Sequence, residues 1–307
     1  MATKTTLAQL RLAFGMLYVA QLADGRFVIV DGGVKCDAHQ KILLDYLNRK
    51  KIGDRPVIAC WMFTHLDGDH VDNAFDILAT KADALEVQSL CLSVPLLEDF
   101  AFSEGESDDY HHYKEIAVQT QLTRLKAFEN AKACYPNAGI WTPHRGERRR
   151  FGDLDIHILL TAEERQPANV LSHNSRSLAF KMCFDAGTSC MITGDNDRSL
   201  RWKFLHEQYQ AEILKCDVLQ TMHHGICGYL PLYRMIDPEI CFWPTSAARF
   251  LGHEVDESGN QTSLSRSMRE QPFNAYLRDD SIRVRRHYHG EQSVEIDMSN
   301  LSVTLLD

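Results

Sequence analysis

Three apolar β-type runs in this chain stop abruptly in side chains that bind metals. No other feature constrains the fold as much. They are "IACWMFTHLDGDH" (58–70), "SCMITGD" (189–195) and "VLQTMHH" (218–224). A strand that ends in a loop is a rigid platform for ligands. In the first run His65 and Asp67 alternate and can reach one ion, while Asp69 and His70, after the tight Gly68, can turn toward a second. Asp195 can bridge two ions, and a histidine of the His223-His224 pair can complete the second. Two cations about 3.5–4 Å apart clamp a hydrolytic transition state and lower the pKa of a bridging water. The competing reading of the first run is a polar loop in which Asp69 or Asp72 caps the next helix. A cap needs one such residue, not four ligand types at this spacing. Asp195 could likewise cap a helix in "NDRSLRWKF", but its place after "ITG" and upstream of "HHG" favours a ligand.

The rest of the chain alternates strands and helices. Residues 12–20 and 26–31 read as strands joined by Asp24-Gly25, a hairpin signal. "VDGG" (30–33) turns the chain, and a helix over 37–51 ends in basic residues. A strand at 56–63, a helix from about Asp72 and a strand at 86–94 follow. Residues 100–135 read as an inserted helical segment entered through the acidic "SEGESDD". Further strands are expected at 153–160, 177–184, 189–195, 216–222 and 239–245, with two more within 281–297. Helices are expected over 198–209 and near 261–270. No Pro/Gly/Ser linker divides the chain, so one α/β domain over 1–307, with mixed sheets and helices outside, is expected.

Charge and cysteine content narrow the function. A net charge of -9 supplies no global basic field for nucleic acid or anionic membrane. Nine cysteines without a Cys-x-x-Cys pair argue for a reducing compartment rather than a disulfide framework. No window approaches the roughly 18 apolar residues of a membrane span. A cytoplasmic protein is the expectation.

The order "ADGRFVIVDGG", His-x-Asp-x-Asp-His, "NSRSLAFKM", "ITGD" and "MHHG" resembles the metallo-β-lactamase-fold hydrolases. Their usual motif is His-x-His-x-Asp-His; the form with Asp in second place is similar to the ComEC-type metallo-hydrolase domain of competence DNA uptake, here without membrane helices. The resemblance spans residues 12 to about 230, and "FLGHE" (250–254) echoes a later histidine of that group. It implies an αββα sandwich of two mixed sheets with helices outside, holding two divalent ions. The implied ligands are His65, Asp67, Asp69, His70, His173, Asp195 and His224, with catalytic roles for Asp69, Asp195 and His223. His173 is the candidate for the third motif, although ComEC-like sequences tend to carry asparagine and serine there. His224, directly before Gly225, is favoured as the ligand over His223, which is then substrate-facing or supporting.

Asp67 replaces a neutral imidazole by a hard anionic donor, so manganese is expected over zinc, with a less acidic bound water. The implied activity is metal-dependent hydrolysis of phosphodiesters by a metal-bridging hydroxide. The charge fits a small-molecule or nucleotide phosphodiester better than long duplex DNA. Ester, thioester or lactone hydrolysis on the same metals is the alternative, and a non-catalytic metal-binding partner protein is a third. The oligomeric state is open. His111, His112, His144, His287 and His289 read as surface or strand residues. Asp31 with Gly32-Gly33 is expected to shape the site floor, and His253 to lie near the pocket.

Overall fold

The computed structural model describes residues 3–12, 15–101, 106–164, 172–196 and 199–306. The acidic residues 103–105 and the ends of two expected elements, 13–14 and 198, lie outside them.

Two sheets divide the chain between them. The first seven strands are β1 (Thr6–Gln9), β2 (Leu17–Gln21), β3 (Phe27–Asp31), β4 (Val57–Phe63), β5 (Glu86–Val87), β6 (Ser89–Leu92) and β7 (Gly139–Trp141). The next seven are β8 (Arg148–Phe151), β9 (Leu154–Leu160), β10 (Ala179–Phe184), β11 (Ser189–Ile192), β12 (Val218–Gln220), β13 (Ile240–Trp243) and β14 (Arg286–His289). β15 (Ser293–Asp297) and β16 (Ser302–Leu306) return to the first sheet. Its order is β16-β15-β1-β2-β3-β4-β6-β7, with β5 beside β4; the second sheet runs β14-β13-β12-β11-β10-β9-β8. Both are mixed. β3, β4, β6 and β7 are parallel, as are β4 with β5 and β11 to β14, and the remaining pairs are antiparallel.

Side-chain alternation explains the layering. In β4, Cys60 and Met62 face the other sheet, whereas Trp61 and Phe63 face outward. In β13, Ile240 and Phe242 point inward, Cys241 and Trp243 outward. Tyr18 stacks on Phe242 across the interface, ring centres 5.3 Å apart. Each sheet buries its outer face under helices, so its strands are apolar on both sides. Over the first lie α1 (Asp37–Lys50), α2 (Gly68–Thr80) and α3 (Asp108–Ala133), packed through Leu47, Phe75 and Phe128. Over the second lie α4 (Ser199–Gln208), α5 (Ala211–Leu214), α6 (Leu230–Ile236), α7 (Ala247–Phe250), α8 (Ser263–Glu270) and α9 (Pro272–Leu277). The expected αββα sandwich is the architecture observed.

Two expected boundaries move. The strand expected from residue 12 begins at Leu17, because the chain first pairs as β1 and then bends at Gly15. The helix expected from Asp72 begins four residues earlier, at Gly68, which puts Asp69 and His70 in its first turn. No helix among the described residues is long and apolar enough to cross a membrane.

Candidate metal centre

The parallel pairs β3–β4 and β11–β12 release their chains at carboxyl ends, and the polar residues follow there. Asp31 ends β3 with φ 56°. Its Oδ1 accepts the Thr64 N–H at 2.8 Å, and its Oδ2 accepts the Thr64 hydroxyl at 2.7 Å. The same Oδ2 lies 2.8 Å from His70 Nδ1. Thr64 Oγ1 in turn lies 3.1 Å from His65 Nδ1. One buried carboxylate thus ties down both imidazoles of the first motif. Carboxylates only accept, so Nδ1 of His70 is the donor and Nε2 is directed into the site.

Asp67 stands at the N-cap position of α2, yet its carboxylate makes no capping bond. Asp69 and Asp72, the two caps the sequence offered, both lie inside α2 instead. Gly68 opens α2, and what it supplies is space. A Cβ there would fall 2.6 Å from Arg124 Nη2.

On the opposite sheet, Gln220 Oε1 accepts the N–H groups of Thr193 and Gly194 at 2.7 and 2.9 Å. That, with Gly194 at φ 59°, turns Asp195 inward. His223, His224 and Gly225 follow β12 with φ 46°, 55° and 87°. Consecutive left-handed non-glycine residues cost energy that the surroundings must offset. Here Trp243 packs on Gly225, and the Pro244 carbonyl accepts from His224 Nδ1 at 2.6 Å.

These turns bring four side chains together. Asp69, His70, Asp195 and His224 offer ligand atoms all within 4.8 Å of one another, and can hold a metal ion. Asp195 Oδ2 lies 2.8 Å from His224 Nε2 and 3.2 Å from His70 Nε2; Asp69 Oδ2 lies 3.2 Å from His224 Nε2. The other expected residues surround this cluster. His65 has its ring 4.1 Å from that of His70 and its Nε2 3.8 Å from Asp67 Oδ2. His173 is buried but falls outside the four-residue cluster; its Nε2 donates to the Ala117 carbonyl at 3.0 Å, and its ring packs on Phe100. His223 keeps part of its surface exposed, with Nε2 3.8 Å from Asp195 Oδ2 and Nδ1 3.4 Å from Cys227 Sγ.

Burial and the neighbouring His70 push His65 down to about 3, so it is neutral. Burial works against protonation of His70 and His224 too. Nevertheless Asp195, Asp69 and Asp31 lift His70 well above its usual range, and Asp195 and Asp69 lift His224 to about 9. Burial would raise Asp69 and Asp195, but His70 and His224 hold both below the ordinary carboxylate range. Asp67 is raised and His173 lowered, burial being the main cause in each, and the two attract one another. The carboxylates thus favour positive charge at this point, which a bound cation would supply. His65 Nε2 and Asp195 Oδ1 are buried with no hydrogen-bond partner among the described residues. Imidazoles anchored through one nitrogen and open at the other, beside the carboxylates of Asp69 and Asp195, fit a divalent ion.

His144 pairs with Glu163 on the surface, and His287 and His289 lie in β14, as expected. His253, expected near the pocket, is exposed. The roles of Thr64, Gln220 and the Pro244 carbonyl were not read from the sequence. Only Gln220, a polar residue at the end of an apolar strand, carried a signal there.

No family model matches this chain, and no curated protein matches it in sequence. Solved structures do match. CmlA, a diiron β-hydroxylase from Streptomyces venezuelae, has a TM-score of 0.51 at 10% identity, covering 100% of this chain and 55% of its own. This chain thus spans about half of CmlA's length. Igni18, a metallo hydrolase from the hyperthermophilic archaeon Ignicoccus hospitalis, gives 0.48 at 14% identity over 98% of this chain and 99% of that one. YhfI, a metallo-β-lactamase fold protein from Bacillus subtilis, gives 0.45 at 10% identity over 86% and 92%. At such identities the likeness is one of fold. The class defined is an αββα sandwich with a buried His/Asp cluster at its strand ends.

Proposed function

We propose that the protein is a metal-dependent hydrolase of phosphodiesters with a two-ion site. The carrying observation is the buried cluster of Asp69, His70, Asp195 and His224. In this reading Asp69, His70 and His224 would hold one ion, His65, Asp67 and His173 a second, and Asp195 would serve both. Divalent ions supply Lewis-acid activation of a phosphoryl group and lower the pKa of water. The chain's own residues do the rest. Asp31, Thr64 and the carbonyls of Ala117 and Pro244 fix four imidazole rings. His223, partly exposed beside Asp195, is the assigned donor of a proton from Nε2 to the leaving oxygen. Three carboxylates favour manganese over zinc. The similarity in motif to the ComEC-type domain supports a phosphodiester, and a net charge of -9 favours a nucleotide or other small one over duplex DNA.

The test reconstitutes metal-free protein ion by ion and assays a chromogenic phosphodiester beside a chromogenic ester. Manganese-dependent phosphodiester turnover, reduced about a hundredfold or more in Asp195→Ala, is expected. Ester turnover alone, or an unimpaired Asp195→Ala, would overturn the reading. Activity with zinc and none with manganese would overturn the metal preference. A diiron oxygenase is a second reading, favoured by the CmlA fold match together with the carboxylate-rich donor set. Bound iron with reductant-dependent oxygen consumption would select it.

A further inference from the structure

His173 is held by elements distant in sequence. Its ring centre lies 5.3 Å from that of Phe100, and its Nε2 is 3.0 Å from the Ala117 carbonyl on α3. A carbonyl only accepts, so Nε2 carries the hydrogen and Nδ1 keeps the lone pair. That Nδ1 is buried and has no hydrogen-bond partner among the described residues.

Seven positions after Ala117, and so on the same face of α3 two turns later, stands Arg124. Its guanidinium forks onto Asp72 of α2, Nε to Oδ1 at 2.8 Å and Nη2 to Oδ2 at 3.3 Å. It crosses directly over Gly68, the residue between Asp67 and Asp69, where a Cβ would meet both Arg124 Nη2 and Asp72 Oδ2 within 2.6 Å. Farther along α3, Phe128 packs against Phe63 and Phe75, so the helix stays docked at that end without the ion pair.

Resting on the metal-dependent reading above, we propose that α3 is the positioning element for the ion assigned to His65, Asp67 and His173. Arg124 is its positioning residue. The Ala117 carbonyl selects the tautomer that leaves Nδ1 of His173 open. The Arg124–Asp72 pair locks the height of α3 over the turn that carries Asp67 and Asp69. The glycine of the His-x-Asp-Gly-Asp-His run is there to let that arginine pass. The helical segment thus belongs to the metal site.

The experiment is titration of metal-free protein with Mn2+, followed by calorimetry and by the paramagnetic signal of free Mn2+. Wild type should take two ions, and His173→Ala one. Arg124→Ala should keep the first affinity and lose about 10- to 100-fold in the second, with Arg124→Lys recovering part of it. Asp72→Ala, acting from the other helix, should reproduce the loss. Wild-type affinity for both ions in Arg124→Ala and Asp72→Ala overturns the proposal, making α3 a packing element only. Equal weakening of both ions with a lowered melting temperature also overturns it. A wild type that takes a single ion overturns it while leaving the four-residue site standing. A wild type that takes none overturns the metal reading as well.

Discussion

Asp31 shows how much one side chain can arrange. Its two oxygens take the Thr64 N–H, the Thr64 hydroxyl and His70 Nδ1, and through Thr64 they also reach His65. Asn tolerates the left-handed backbone that Asp31 adopts, so Asp31→Asn tests the carboxylate without disturbing the turn. Its amide would offer only one acceptor oxygen where two are used. Metal affinity measured by calorimetry should fall about 10- to 100-fold, and the buried donor left without an acceptor should cost about 1–3 kcal/mol in urea unfolding. Residues such as Asp69, His70, Asp195 and His224 were legible in the sequence because metal-binding side chains at the ends of apolar runs are rare in any other role. His173 was legible only through family likeness. Its anchor, a backbone carbonyl on a helix more than fifty positions away, has no signature in side-chain type.

Among the elements, a four-residue turn carries the heaviest constraint. The turn Met222–Gly225 places His224 by holding three residues at positive φ. A Cβ on Gly225 would sit 2.7 Å from both Met268 Sδ and a ring carbon of Trp243, at a φ that L-residues avoid. Gly225→Ala should therefore cost about 2–4 kcal/mol in urea unfolding, and metal affinity should fall with it because His224 cannot keep its place. The start of α2 makes a related point. The helix was expected from Asp72, since no cap residue upstream stood out from the ligands; the observed cap position is Asp67 itself, with its carboxylate left for the site. Where one residue type serves caps and metals alike, sequence alone assigns the boundary late.

At the scale of the whole molecule, stability and site share a frame, because the ligands come from both sheets. The edge strand β14 carries His287, whose Nδ1 accepts the indole N–H of the buried Trp243 at 3.0 Å. Burial, then Arg278 and Arg285, push His287 down to about 4. In the unfolded chain its pKa is about 6.5. Between those values the unfolded chain binds more protons, so this contribution is complete above pH 6.5 and is lost as pH falls toward 4. It amounts to at most about 3 kcal/mol. Comparing urea unfolding at pH 7.5 and pH 5, His287→Asn should lose less stability than wild type; an equal loss would exclude the mechanism. What the sequence determined by itself was an α/β plan of mixed sheets with helices outside, and Asp69, His70, Asp195 and His224 as candidates for one site, because hydrophobic alternation and side-chain chemistry are local properties. The αββα form was implied by the resemblance. The tertiary structure alone decided which ligands meet, which nitrogen each histidine leaves open, and why Gly68 is glycine. Those depend on atoms brought together from α3, β3 and the strand ends of both sheets, whose distances no local pattern encodes.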